Sequence, residues 1–172
     1  MEDISLDEFR RLLHDFKRSA IHLEARDAYG TETELPHMAK WAAGEPDDLE
    51  WIQGWCDNVR SHVGAGATIR RAKIVSEPLS DYQRWAYTLM PPLAEAGEDI
   101  RWTPRRLVSS IAIPGNDYYI LDDELVIFMH FSGNGLATAH TTSINPSDIE
   151  KCRTAFEQVW ALATPHSEYK SE

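Results

Sequence analysis

Residues 68–84 read TIRRAKIVSEPLSDYQR. The first part, 68–76, is rich in β-branched residues such as Ile69 and Val75, which predicts a strand. Ser80 is a suitable N-cap for a following helix, because its side-chain oxygen can accept a hydrogen bond from a free backbone N–H of the first turn. This stretch therefore predicts a strand that runs directly into a helix, the place where α/β folds commonly bind ligands.

Polar side chains are dense at this strand–helix corner, and two interpretations stay open. In the first, polar groups of the corner form a ligand pocket with Arg101 from the next strand. In the second, which we favour, Asp81 pairs with Arg84 or Glu77 pairs with an arginine, and the ion pair only fixes the corner. The candidate ligand-binding residues are Arg71, Glu77, Asp81, Tyr82, Arg84, Arg101 and His130.

The sequence downstream alternates between strands and helices. Pro91 and Pro92 are expected to end the helix that begins after Ser80. Strands are predicted over 100–103, 107–113, 118–121, 125–131 and 136–142, and the last helix begins at Asn145 and Pro146. The tail from His166 is expected to be frayed.

The sequence upstream is predominantly helical. Ser5 and Glu8 form a capping box, and the apolar residues from Leu6 to Leu23 recur at helical spacing. This stripe would dock on the protein's own sheet or pair with another chain, and its short length favours the first. A homodimer therefore remains open. Two further helices are predicted, one over 35–43 and one that starts after Pro46 and ends at Gly64.

These elements predict an α+β fold in which N-terminal helices pack beside a mixed β-sheet that is covered by helices. Residues 1–66 would form the helical subdomain and residues 67–172 the mixed-sheet subdomain. The length of 172 residues fits one compact domain that contains both.

Composition narrows the function classes. The net charge of −11 disfavours direct binding to nucleic acid or to an anionic membrane, although residues 67–106 are relatively basic and would suit a small anion site. The longest apolar stretch, 125–129, is far too short to span a membrane. Cys56 and Cys152 have no metal or redox spacing and are expected to be buried free thiols in a cytoplasmic protein.

No motif in the sequence predicts catalysis, a metal site or a cofactor. The seven histidines show no metal-binding spacing. A serine-nucleophile elbow and a Walker-type phosphate loop are also absent. Gly64 and Gly66 precede a strand instead of following one, which is the wrong order for a dinucleotide-binding fingerprint.

The chain resembles an uncharacterised actinobacterial family, domain-of-unknown-function family 6879. The matching stretches are 9–27, 70–82, 96–102, 114–117, 121–123 and 130–133. Members of this family resemble neighbours of helix-turn-helix regulators, which implies an accessory role in regulation. The chain also resembles half of a phospholipase D-type fold, whose enzymes carry a His-x-Lys motif. The comparable stretch, His130-Phe131-Ser132, lacks the lysine, so a structural hydrogen bond of His130 across the sheet is expected.

Together these observations lead us to expect a non-catalytic accessory protein in bacterial regulation that binds a helix-turn-helix regulator or a small ligand. The acidic surface would complement a basic DNA-binding partner. The alternative is an enzyme or binding protein for a small anionic or phosphate-bearing molecule. In that case Arg71, Arg84 and Arg101 would hold the anion, and Glu77 or His130 would act as acid or base.

Overall fold

The computed structural model describes residues 1–170, in which a mixed sheet carries helices on both faces. The expected α+β class is confirmed. The strands are β1 (Glu2–Ile4), β2 (Ser19–Glu24), β3 (Thr68–Val75), β4 (Asp99–Pro104), β5 (Asp117–Leu121), β6 (Leu125–Phe131), β7 (Ala137–Ser143) and β8 (Thr164–Pro165). The helices are α1 (Leu6–Asp15), α2 (Leu35–Ala42), α3 (Glu50–Gly64), α4 (Asp81–Ala96) and α5 (Pro146–Trp160), with a 3₁₀ turn at Arg105–Val108.

The strand order across the sheet is β1-β7-β6-β5-β2-β3-β4-β8. Strands β2, β3 and β4 are parallel and are connected through α2 and α3 and then through α4. Strand β2 pairs antiparallel with β5 on its other side, so the strand direction changes there. Residues 1–66 thus contribute β1 and a central strand to the sheet in addition to three helices.

The pleat of β3 shows how the two faces differ. Ile69 and Val75 point to the face that α1, α3 and α4 cover, and Arg71 and Lys73 share that face. Ala72 and Ile74 point to the opposite face and pack in a second core, which α5 covers. A strand buried on both sides therefore carries two charged side chains inside the protein.

The first helix is shorter than its apolar stripe predicts. Ser5 caps α1 as expected and accepts a hydrogen bond from the Glu8 N–H at 3.1 Å. The helix ends at Asp15, however, and the predicted helical continuation to Leu23 is wrong because Ser19–Glu24 forms β2. Burial on both sides explains the difference: Ile21 lies in one core and Ala20 in the other, an alternation that only a strand allows.

Helix α4 continues through its two prolines to Ala96, so the predicted break at Pro91 and Pro92 is wrong. Two backbone hydrogen bonds are lost there, but the apolar face stays buried on both sides of the prolines, at Leu89 and at Leu93. Burial of a continuous face thus outweighs the local preference of proline.

Two predictions near the sheet edge are also wrong. Residues 107–113 form no strand; the chain makes a 3₁₀ turn instead, which buries Val108 while Leu107 remains exposed. The tail is not frayed at His166, since its N–H donates to the Ile100 carbonyl at 2.9 Å. The buried Tyr169 ring stacks on Trp102 with a centroid distance of 5.3 Å. These contacts anchor the tail beside β4.

Candidate functional site

A cleft of about 680 Å³ opens between the sheet and helices α1, α3 and α4. Its floor includes Glu24, the last residue of β2, and Lys73, near the carboxyl end of β3. Ligands of open α/β sheets bind outside the carboxyl ends of the strands, and Glu24 and Lys73 lie at these ends of β2 and β3. The Phe, Tyr and Trp residues of the lining are Phe9, Tyr29, Trp51, Trp55, Tyr82, Tyr119 and Phe131.

Buried charges form the floor of the cleft. The register of β2 and β3 sets Glu24 opposite Lys73, and the Lys73 ammonium donates to Glu24 Oε2. Arg71 donates to Glu24 Oε1 at 2.9 Å and, through Nε, to Glu98 Oε1 at 2.6 Å. The Trp55 indole N–H donates to the other Glu98 oxygen at 3.2 Å. We call Glu24, Arg71, Lys73 and Glu98 the floor network.

Mutual pairing keeps the floor network charged. Burial acts to raise the pKa of Glu24, but Lys73 and Arg71 outweigh it and hold this pKa well below its ordinary value. Burial likewise acts to lower the pKa of Arg71, but Glu98 and Glu24 raise it well above its ordinary value. Both cations of the floor are therefore already neutralised by carboxylates of the protein.

A second group of polar side chains lies along the cleft beside the floor network. Asp117 accepts a hydrogen bond from the Ala25 N–H at 2.9 Å and another from the Tyr29 hydroxyl. Burial raises the pKa of Asp117 above its ordinary value despite these bonds. Glu34 accepts a hydrogen bond from the Tyr82 hydroxyl at 3.0 Å. These two carboxylates are thus held by neutral donors.

His22 is the most informative residue of the cleft. Its ring is buried and stacks on Tyr119 with a centroid distance of 3.8 Å. Burial lowers the pKa of His22 to about 3, so the ring is neutral near pH 7. Nδ1 lies 3.4 Å from Glu24 Oε1, but neither ring nitrogen makes a hydrogen bond within residues 1–170. Because an unmade buried hydrogen bond costs about 1–3 kcal/mol, such a group in a native cleft calls for a partner that comes from outside the chain.

The structure brings only some of the predicted site residues together. Arg71 and Tyr82 both line the cleft. Asp81 and Arg84 form an exposed ion pair with each other on the first turn of α4, which is the structural alternative considered for this corner. The sequence-predicted convergence of Tyr82 and Arg84 in one pocket is not present.

The remaining predicted residues lie outside the cleft. Arg101 pairs with Asp99 at 3.0 Å and lies over the Trp160 ring. Glu77 accepts a hydrogen bond from the Tyr169 hydroxyl at 3.0 Å. His130 bonds through Nε2 to Thr141 Oγ1 at 2.9 Å, across from β6 to β7.

Sequence analysis missed several cleft residues that the fold brings together. They are His22, Glu24, Lys73, Asp117 and Tyr119. A signal for such residues was present in the sequence: two polar side chains that are two residues apart in an apolar strand, as Arg71 and Lys73 are, lie on the same face of the sheet. The helical assignment of 16–23 hid the equivalent pair in β2.

Sequence comparison identifies the family of the chain. The family model described as "Domain of unknown function (DUF6879)" matches residues 7–171. The chain belongs to this family. The expected resemblance is thereby confirmed. No curated protein matches the DUF6879 chain significantly.

Solved structures show which fold the DUF6879 chain shares. Nuc from Salmonella typhimurium, a phospholipase D family member, has a TM-score of 0.56 and 11% identity over 90% of this chain and 86% of that chain. NucT from Helicobacter pylori has a TM-score of 0.53 and 8% identity over 93% of this chain and 89% of that chain. The expected similarity to a phospholipase D-like fold is confirmed, and at such identities it concerns the fold alone.

Two searches of the DUF6879 chain found no candidate. Within residues 1–170, no helix is both long and apolar enough to cross a membrane. In the same part of the chain, His, Cys, Asp and Glu side chains do not form a group of three or more that could hold a metal ion.

Proposed function

We propose that this protein binds a small organic molecule in the cleft and acts as a non-catalytic accessory protein in bacterial regulation. The observation that carries the ligand-binding part is His22, a buried side chain at the cleft whose two ring nitrogens make no hydrogen bond within residues 1–170. A neutral imidazole offers one donor and one acceptor, so it would recognise a polar group of the ligand.

The shape and lining of the cleft support this proposal. Its volume of about 680 Å³ is within the range of pockets that hold small molecules. Aromatic side chains such as Tyr82 and Trp51 would contact the body of the ligand, while His22 and Asp117 would meet its polar groups. Small-molecule sites usually combine apolar and aromatic lining residues with polar groups that fix the orientation of the ligand, and this cleft contains both.

The regulatory part of the proposal rests on the family resemblance and on charge. A net charge of −11 favours a basic protein, such as a helix-turn-helix regulator, over direct contact with nucleic acid or an anionic membrane. Ligand binding would then control the interaction with this partner in the cytoplasm. Pairing of two copies of the chain stays a prediction.

An enzyme or binding protein for a small anionic or phosphate-bearing molecule is the alternative. The presence of Arg71 in the cleft favours it, as does the fold shared with a phospholipase D family member. However, Arg71 already donates to Glu24 and Glu98, so an anion would have to displace a carboxylate of the protein. The geometry therefore favours the first proposal.

The proposal is tested by metabolite retention. The protein is incubated with a low-molecular-weight extract of bacterial cytoplasm, separated from free metabolites by gel filtration and analysed by mass spectrometry. We expect one retained compound with the native chain and none with Ala86→Phe, which fills the cleft from α4. Ala94→Phe on the exposed side of the same helix is the matched control and should retain the compound. Equal retention by all three chains, or retention by none, would overturn the proposal.

A further inference from the structure

The carboxylates of the cleft are not equivalent. Glu24 is paired with Arg71 and Lys73. Asp117 and Glu34, by contrast, accept hydrogen bonds from hydroxyl and backbone N–H groups and have no salt bridge within residues 1–170. The floor network holds two cations and two carboxylates, so Asp117 and Glu34 add negative charge to the cleft that no salt bridge within residues 1–170 offsets.

Aromatic rings surround this negative charge. The Tyr29 ring, whose hydroxyl donates to Asp117, lies 5.3 Å from the Tyr82 ring, whose hydroxyl donates to Glu34. Phe131 lies 5.2 Å from Tyr29 on another side. The faces of such rings attract cations, and the Arg26 guanidinium already lies 5.2 Å from the Phe131 centroid. Carboxylates among aromatic faces form a binding environment for an organic cation.

The raised pKa of the Asp117 carboxyl group agrees with a site that binds a cation. Burial raises its pKa, and the hydrogen bonds from Tyr29 and Ala25 and the nearby charge of Lys73 do not outweigh this effect. A bound cation would stabilise the ionised form. The net charge of −11 would also raise the local concentration of cations near the cleft.

We infer that the cleft selects a small organic cation, an amine or guanidinium carried on an apolar or aromatic body, and that its charged nitrogen binds at Asp117 beside the Tyr29–Tyr82 pair. This inference rests on the proposed function, because it specifies the ligand of the same cleft. His22 would contact a second polar group of that ligand through its ring nitrogens, which make no hydrogen bond within residues 1–170.

Three probes of matched shape and different charge test the inference. They are phenethylamine, 2-phenylethanol and phenylacetate, measured by isothermal titration calorimetry on the full chain. The indole N–H signal of Trp51, which lines the cleft, shows by nuclear magnetic resonance whether a probe binds there. We expect the amine to bind at least about tenfold more tightly than the alcohol, since it gains a charge-assisted hydrogen bond and a cation–π contact.

Two variants connect this preference to the carboxylates. Asp117→Asn should abolish the advantage of the amine over the alcohol. Glu34 is less buried than Asp117, so Glu34→Gln is less able to impair folding, and it should reduce the advantage. Glu45→Gln, an exposed position outside the cleft, is the control and should keep the full advantage.

The other outcomes distinguish this inference from the proposed function. Equal binding of amine and alcohol at the Trp51 signal, or tighter binding of phenylacetate, would overturn the cation preference while the cleft remained a ligand site. Binding of no probe would also overturn the inference. The proposed function would then stand or fall by metabolite retention, which does not depend on these probes.

Discussion

Glu24 and Lys73 occupy opposite positions on two adjacent parallel strands, and the Lys73 ammonium donates a hydrogen bond to the Glu24 carboxylate. Both side chains are buried at the bottom of the cleft. Since a buried charge without a partner is strongly unfavourable, Lys73 requires Glu24, whereas Glu24 is also paired with Arg71. The charges of the floor network thus stabilise one another, and His22 remains free to form a hydrogen bond with a ligand.

The first prediction concerns this pair. Glu24→Gln leaves Lys73 buried without a carboxylate, and we expect the free energy of unfolding in urea to fall by about 3–5 kcal/mol. The double variant Glu24→Gln/Lys73→Met removes both charges and should lose clearly less than Glu24→Gln alone. A harmless single substitution, or a double variant that is less stable than the single one, would contradict this account of the floor.

The second prediction concerns pH. The pKa of His22 is lowered from 6.5 to about 3 by burial, so below about pH 6.5 the unfolded chain binds a proton that the folded chain does not. Stability should therefore fall as the pH is lowered from about 7 to about 5, and His22→Phe should weaken this fall. Burial also lowers the pKa of His62, His140 and His166, so part of the slope will remain.

Urea unfolding at several pH values measures this slope. Tyr119→Phe is the control, because it keeps the ring that stacks on His22 and should leave the slope unchanged. Identical slopes for the native chain and His22→Phe would show that His22 is not held neutral by burial.

The third prediction compares two neighbouring residues in the β5–β6 turn. Asp122 and Asp123 both have positive φ, so alanine at either position brings similar backbone strain. The Asp122 carboxylate also accepts backbone N–H bonds from 17–19. Asp122→Ala should therefore cost about 1–3 kcal/mol more than Asp123→Ala in thermal or urea unfolding. Equal losses would mean that these backbone bonds contribute nothing measurable.

The fourth prediction concerns two loops that meet at the cleft. The Gly30 N–H donates to the Gly135 carbonyl at 2.9 Å, and a Cβ on Gly30 would lie 2.9 Å from the Asn134 carbonyl oxygen. Gly30→Ala should push the loops apart and accelerate amide hydrogen exchange around 29–31 and 133–136. Gly133→Ala, where a Cβ would meet no atom within 4 Å, is the control. Unchanged exchange in Gly30→Ala would contradict the close packing of the loops.

Local signals in the sequence were sufficient for much of the fold. Ser5, Ser80 and Asn145 were predicted as N-caps and each accepts the expected backbone hydrogen bond, because a cap depends on only a few neighbouring residues. Strand β2 was missed for the opposite reason. Its apolar residues also fit a helical stripe, and only its place between β3 and β5 distinguishes the two structures.

The candidate site was less predictable than the fold. Arg71 and Tyr82 were identified from the polar strand–helix corner, and both line the cleft. Glu24 and Asp117 belong to strands that are far apart in sequence, and their proximity depends on strand order and register. Single-sequence reasoning provides neither quantity, so the only pocket it could consider was one at the strand–helix corner, which included the exposed Arg84.

The binding of a small molecule at the cleft floor is tested most directly by the ring nitrogens of His22, observed by ¹⁵N nuclear magnetic resonance. The labelled chain is titrated with the compound fraction that it retains from bacterial extract. We predict that the His22 nitrogen signals shift as a hydrogen bond forms, while those of the exposed His14 stay in place. A bound compound that leaves the His22 signals unchanged would contradict the assignment of the cleft as the ligand site.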